Sequence, residues 1–198
     1  VADLPAVELQ PFTQEDIPRL CGWLTSERDL LAWGGPYYRY PLTAGAIETV
    51  LNSAAVTAGT HQPFRVWAPD LGEVIGHAEF LMLSLDHRHV RLGRLLIGPR
   101  DLRGRGYGQA LVRALLRRAF HDLGLHRVEL EVYDFNHPAI RCYQACGFEL
   151  EGRRRDAVRL GDDYWTSVLM AQLEPRRQPD WRDPEGAAER THGALEVR

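Results

Sequence analysis

The sequence predicts an α+β domain over residues 1–173, a mixed and mostly antiparallel sheet flanked by about four helices, followed by a charged, proline-containing tail over 174–198. Three observations carry this. Alternating runs at 63–68, 73–85 and 89–98, split by short turn-rich gaps, are the pattern of an antiparallel meander. The last of these runs feeds a glycine-rich loop and an apolar-periodic helix over 107–123, which returns into another alternating strand over 127–136. With 198 residues, 44% of them apolar and 26% charged, the chain can bury a core without disulfide or metal staples.

Each element follows from local signals. Residues 7–12 alternate and read as an edge strand, because Pro11 has no N–H for a ladder. Thr13, ahead of Glu15 and Asp16, starts a helix with Ile17, Leu20, Cys21 and Leu24 on one face, ending before Asp29. Residues 30–40 read as an irregular loop bearing Trp33, Tyr37, Tyr38 and Tyr40, since Gly34-Gly35-Pro36 cannot continue a helix. Rings on such a loop either line a substrate cleft or pack over the edge of the core. A second helix runs from Thr43 to about Val56 with Ala46, Ile47, Val50 and Leu51 inward.

The helix after the glycine loop buries Leu111, Leu115 and Ala119 and turns Arg113 and Arg117 to water. In the strand that follows, Val128, Leu130 and Val132 alternate with Glu129, Glu131 and Tyr133. Pro138 opens one more helix, closed by Gly147, and runs at 148–155 and 164–173 form a last strand pair. Beyond Glu174 prolines and charges dominate, and Trp181 or Leu195 is the expected anchor on a neighbouring subunit, which would make a homodimer.

Composition excludes several chemistries. A net charge of −3 offers no basic field for nucleic acid. All 24 basic residues are arginine, so the lysine of a Walker phosphate loop and the Schiff-base lysine of pyridoxal chemistry are both missing. No run approaches the roughly 18 apolar residues of a membrane span. Cys21, Cys142 and Cys146 are sparse, unevenly spaced thiols, which suggests the reducing cytoplasm, and no metal site is expected. His87 and His89 form an H-x-H pair without a third ligand and read as turn residues.

The strand, loop and helix around Arg103-Gly104-Arg105-Gly106-Tyr107-Gly108 bring unpaired backbone N–H groups and the positive end of a helix dipole to one place. Such a place favours an anionic oxygen. A dinucleotide fingerprint fails, because glycine or alanine is missing at its final position. What remains is R-x-x-G-x-G, carried by Arg103, Gly106 and Gly108.

This pattern resembles the acetyl-coenzyme A loop of the GNAT superfamily of N-acetyltransferases. The resemblance continues in Asn136, Ala139, Tyr143, Gly147 and Phe148, which match the family's N-x-x-A-x-x-x-Y-x-x-x-G-F segment at the right distance. It spans residues 7–173. Leu96-Ile97-Gly98 and the run 149–153 are similar to the branch of ribosomal-protein N-terminal and spermidine acetyltransferases.

The resemblance implies acetyl transfer from acetyl-CoA to a primary amine by direct attack in a ternary complex, and central strands that splay around the pantetheine arm. Backbone N–H groups over 104–109, from Gly104 to Gln109, would hold the pyrophosphate, with the Arg103 and Arg105 guanidinia adding contacts. Leu96, Ile97 and Gly98 would meet the arm, a backbone N–H near Ile97 would polarise the thioester carbonyl, and Asn136 would touch the cofactor. Tyr143 matches the acid for the leaving thiolate, and Glu131 stands where the ribosomal-protein enzymes carry a proposed base, with Glu79 and Glu129 as rivals.

Trp33, Tyr37, Tyr38 and Glu79 are the expected acceptor-binding residues, for a small-molecule or peptide amine: a protein N-terminus, a polyamine or an amino-sugar. Two readings compete with this enzyme. One is a coenzyme A-binding regulatory module without catalysis, and the other is a nucleotide-phosphate binding protein.

Overall fold

A computed structural model describes residues 4–174. The expected tail, with Trp181 and Leu195, therefore lies outside the described residues. Seven strands form one sheet: β1 (Glu8–Pro11), β2 (Gln62–Ala68), β3 (Glu73–Ser84), β4 (His89–Ile97), β5 (Arg127–Tyr133), β6 (Glu149–Leu160) and β7 (Asp163–Leu173). Their order is β1-β2-β3-β4-β5-β7-β6, antiparallel everywhere except between β4 and β5. Pro11 indeed lies in the edge strand.

The β4 to β5 crossover carries α5 (Tyr107–Arg117), whose last turn widens into a π-turn at Arg118–Asp122. Its Leu111, Val112, Leu115 and Leu116 pack with Val90, Leu92, Val128 and Leu130 into the main core. Phe148, behind α6 (His137–Ala145), closes that core. Cys142 on α6 and Cys146, which caps its C-terminus one turn later, pack against the same core.

The opposite face is covered by the N-terminal helices, α1 (Ile17–Trp23), α2 (Glu27–Gly34), α3 (Ala44–Leu51) and α4 (Ala54–Thr57), around Leu20, Leu30, Trp33 and Ile47. Here the structure corrects the sequence in two places. Residues 27–34 are helical, because Ser26 accepts the N–H of Asp29 at 3.0 Å and starts a new helix. Gly34-Gly35-Pro36 ends this helix as expected, so the irregular loop is shorter than its ring content suggested. The expected helix from Thr43 breaks at Asn52, and Ser53 recaps the short α4. Counting both changes, six helices flank the sheet among the described residues, rather than about four.

One irregularity positions the site. β4 pairs with β5 only from His89↔Arg127 to Leu92↔Leu130, after which the two strands part. At that level β4 also slips against β3, between Glu79↔Gly93 and His77↔Leu96, and Arg94 takes a left-handed φ of 53°. Gly98 N donates to Ile75 O at 2.9 Å. Since backbone directions alternate along a strand, the N–H of Ile97 faces the side from which β5 has departed.

Candidate active site

The parting of β4 and β5 opens a cleft of about 510 Å³. Its walls include Gly93, Arg94 and Leu95 from β4, Leu130, Glu131 and Tyr133 from β5, Asn136 and Tyr143 beside and on α6, and Trp33 and Tyr37 from the α2 side. Five expected site residues, Glu131, Tyr143, Asn136, Trp33 and Tyr37, thus share one cavity.

The glycine loop ends at the N-terminus of α5. Gly106 occupies the cap position with φ 91° and has no side chain to satisfy the first turn. The first helical bond there runs from Ala110 N to Gly106 O at 2.9 Å, which leaves the N–H groups of Tyr107, Gly108 and Gln109 ahead of the intrahelical ladder. A Cβ built on Gly106 would lie 3.1 Å from Pro5 and 3.2 Å from Leu4, so the bare backbone is needed at this point. Open N–H groups at a positive helix end suit an anionic oxygen.

Arg105 and Gly104 are exposed beside this turn. Arg103 instead folds back: its Nε donates to Ile97 O at 2.9 Å and its Nη2 to Gly98 O at 3.3 Å, tying the loop to the end of β4. Gln109 Nε2 reaches Ala145 O at 3.5 Å, and the Gly108 backbone lies against Cys142 of α6, so loop and cleft share that helix as a common wall. Leu96 packs under the N-terminal helices and Ile97 against the main core. Gly98 sits face-on to Trp23, where a Cβ would come within 2.0 Å of the indole.

The three candidate carboxylates separate clearly. Glu129 sits outside the cleft wall, gripped by Arg91 at 2.8 Å and by Arg127 at 3.2 Å. Partial burial alone would raise its carboxyl, but these guanidinium bonds hold it below the ordinary value. Glu79 is 3% exposed and lies behind the wall. Burial opposes its charge, yet His61 Nε2 at 2.7 Å, His77 Nε2 at 2.9 Å and the Arg94 guanidinium together hold it well below the usual carboxylate range. Glu131 alone faces the cavity, bonded by Arg154 Nη1 at 2.9 Å and by the Ser167 hydroxyl.

Tyr143 packs against Phe148 at 5.9 Å between ring centroids. Burial pushes its phenol far above the ordinary tyrosine value, so it stays a neutral O–H donor. Tyr133 is similarly pushed up to about 12 by burial, with the Glu131 charge adding to the effect. Asn136 spends its carboxamide oxygen on capping α6, accepting Ala139 N at 3.4 Å.

Trp33 is buried, and its Nε1 donates to Arg94 O at 2.8 Å. Tyr37, 80% exposed, stands at the rim. Tyr38 lies outside the main cleft in an adjoining hollow shared with Arg94, whose guanidinium stacks 5.1 Å above its ring. The phenol of Tyr38 is pushed up to about 12 by burial, and its oxygen is buried without a hydrogen-bond partner.

Sequence reasoning missed Arg91, Arg94, Arg154, His61 and Ser167 as cleft residues. Gly93 inside an otherwise regular strand was the available signal, because a strand glycine often marks a bulge.

No helix among the described residues is long and apolar enough to cross a membrane. The sequence pattern described as the acetyltransferase (GNAT) family matches residues 24–148. Aminoglycoside N(6')-acetyltransferase type 1 of Klebsiella pneumoniae is 29% identical over 157 residues, covering 74% of this chain and 76% of that protein. L-amino acid N-acetyltransferase AaaT of Escherichia coli is 30% identical over 104 residues, 52% of this chain and 64% of the relative. In fold, the crystal structure of spermidine N-acetyltransferase from Vibrio cholerae in complex with CoA and spermine superposes with a TM-score of 0.72 at 21% identity, over 84% of this chain and 95% of that one. Loop, splayed strands and matched pattern agree, and the chain belongs to the acetyltransferase (GNAT) family of acetyl-CoA dependent N-acetyltransferases.

Proposed function

We propose that acetyl-CoA and a primary amine meet where β4 and β5 part, and that the amine attacks the thioester directly in a ternary complex. The observation that carries this is the end of pairing at Leu92↔Leu130, beside a helix start with open N–H groups. Acetyl-CoA, when bound, supplies the activated acetyl group. The backbone N–H groups over 104–109 hold its pyrophosphate, and the Ile97 N–H, left without β5, donates to the oxygen on which negative charge develops.

An amine is protonated near neutral pH and attacks only as the free base. Glu131, the carboxylate that reaches the cavity, receives that proton directly or through one water. Tyr143 keeps its proton because burial disfavours the phenolate, and gives it to the departing thiolate.

The names of the relatives span an aminoglycoside, an amino acid and a polyamine, so the acceptor here is a primary amine whose further chemistry is read from the cleft itself. The unpaired thiols Cys21, Cys142 and Cys146 fit a reducing cytoplasm, which belongs to the same proposal, as does a homodimer. The spermidine N-acetyltransferase of Vibrio cholerae, similar in fold, has a dodecameric structure.

Thiol release from acetyl-CoA against a panel of amines tests the reaction, and calorimetric titration with CoA tests the cofactor. Catalysis without any amine dependence, or absent CoA binding, overturns the reading.

A further inference from the structure

We infer that Arg94 reads an anionic group on the acceptor, so that the preferred substrates are amines carrying a carboxylate and not polycations. This rests on the proposed site of amine acetylation and narrows its substrate class.

The charges facing the cleft are lopsided. Arg91, Arg94 and Arg154 line it against a single carboxylate, Glu131, and that carboxylate is already engaged by Arg154 and Ser167. A polyamine or an aminoglycoside needs several free carboxylates for its several ammonium groups. Among the described residues the cleft lining offers such a polycation one carboxylate, already bonded to Arg154, since Glu129 and Glu79 are spent on Arg91 and Arg94 outside the lining.

Among the three, Arg94 is the one built to receive a ligand. Its side chain is 13% exposed at the edge of the parted strands. Glu79 fixes Nη1, the Tyr38 ring supports the guanidinium plane, and the Trp33 indole N–H holds the backbone carbonyl. The Glu79 charge is itself held by His61 and His77, so the guanidinium rests on a rigid counter-ion below the cavity floor.

A guanidinium has five N–H donors in a planar fork, and only Nη1 of Arg94 bonds within the described protein. None of its nitrogens is among the buried atoms lacking a partner, so Nε and Nη2 are not sealed inside the protein, and Arg94 lines both the cleft and the adjoining hollow. Arg91 places both Nε and Nη2 on Glu129, while Arg154, which like Arg94 bonds through Nη1 alone, is 57% exposed and rests on the cavity carboxylate Glu131 itself, with no buried counter-ion behind it. A carboxylate accepts two parallel N–H bonds from such a fork, fixing the amine beside the strand edge while Glu131 takes its proton.

The test compares L-phenylalanine with L-phenylalaninamide, and both with spermidine, at fixed acetyl-CoA. The amide keeps amine and ring and lacks only the carboxylate. We expect kcat/KM for the acid to exceed that for the amide by about 10- to 100-fold, spermidine to be a poor substrate, and R94Q to abolish the acid-over-amide preference with acetyl-CoA KM unchanged. R94K, which keeps the charge without the fork, should recover only part of the preference, and calorimetric binding of L-phenylalanine to the CoA complex should weaken in R94Q.

Equal turnover of acid and amide by the wild-type protein, or a preference for spermidine, overturns the inference without recourse to any variant. Failure of every amino carboxylate overturns it too. CoA titration keeps that failure distinct from failure of the acetyltransferase reading.

Discussion

The indole N–H of Trp33, on α2, donates to the carbonyl of Arg94 at 2.8 Å and so braces, from the opposite layer, the left-handed residue of β4. A buried ring thereby links the N-terminal helices to the edge of the cleft. Trp33→Phe retains most of the ring packing but leaves that carbonyl without its donor. The expected cost is about 1–3 kcal/mol, read as a lower thermal midpoint. Acceptor KM should rise while acetyl-CoA KM holds.

Glu79 carries a sharper stability prediction. Its folded carboxyl lies below the ordinary range, so its contribution is fully present above the unfolded value and fades as pH falls below that value. Glu79→Gln leaves the Arg94 guanidinium without its counter-ion and should cost about 3–5 kcal/mol at neutral pH. Urea unfolding at several pH values should show the gap between the two proteins shrinking on acidification. A gap independent of pH would argue against an ionised Glu79.

Two glycines separate binding from folding. Gly106→Ala meets both a left-handed backbone and close contacts with Pro5 and Leu4, so stability falls by about 1–2 kcal/mol along with CoA affinity. At Gly108 a Cβ meets only ordinary contact, 3.9 Å from the Cys142 sulfur. Gly108→Val is therefore the cleaner probe: the thermal midpoint should stay near that of the parent while calorimetric CoA binding is lost.

For the proton steps, Tyr143→Phe should lower kcat by about 10²-fold with CoA affinity unchanged. Because burial raises the phenol, the wild-type rate should not fall through loss of this proton until pH passes the ordinary tyrosine value. A decline centred near neutrality would have to come from another group.

Glu131→Gln should lower kcat by about 10²-fold, whereas Glu129→Gln, outside the cleft wall, should leave kcat close to wild type. Steady-state kinetics on the two variants decides between them. Equal loss in both would reject the assignment of the base.

What could be read in the sequence was whatever depends on local pattern. The R-x-x-G-x-G run and the asparagine-to-phenylalanine segment are contiguous and lie at their expected elements, so the glycine loop and the helix bearing Tyr143 could be placed from sequence, their proposed roles coming from the family resemblance. Alternation placed Glu129 and Glu131 on one face and stopped there, since two residues apart on a strand are equivalent until a neighbour differs. The neighbour does differ: β4 stands beside Glu129 and supplies Arg91, and it has parted before Glu131.

The cluster around Arg94 was hidden for the same physical reason. Glu79, His61, His77 and Arg94 converge through pairing of β2, β3 and β4, and Trp33 reaches Arg94 across 61 positions of chain. The sequence by itself determined the strands, the crossover and the glycine loop, because propensity and spacing are local quantities. Tertiary structure decided which carboxylate faces the cleft, which guanidinium rests on a buried counter-ion and where the strands part, because burial and pairing depend on residues far apart in the chain.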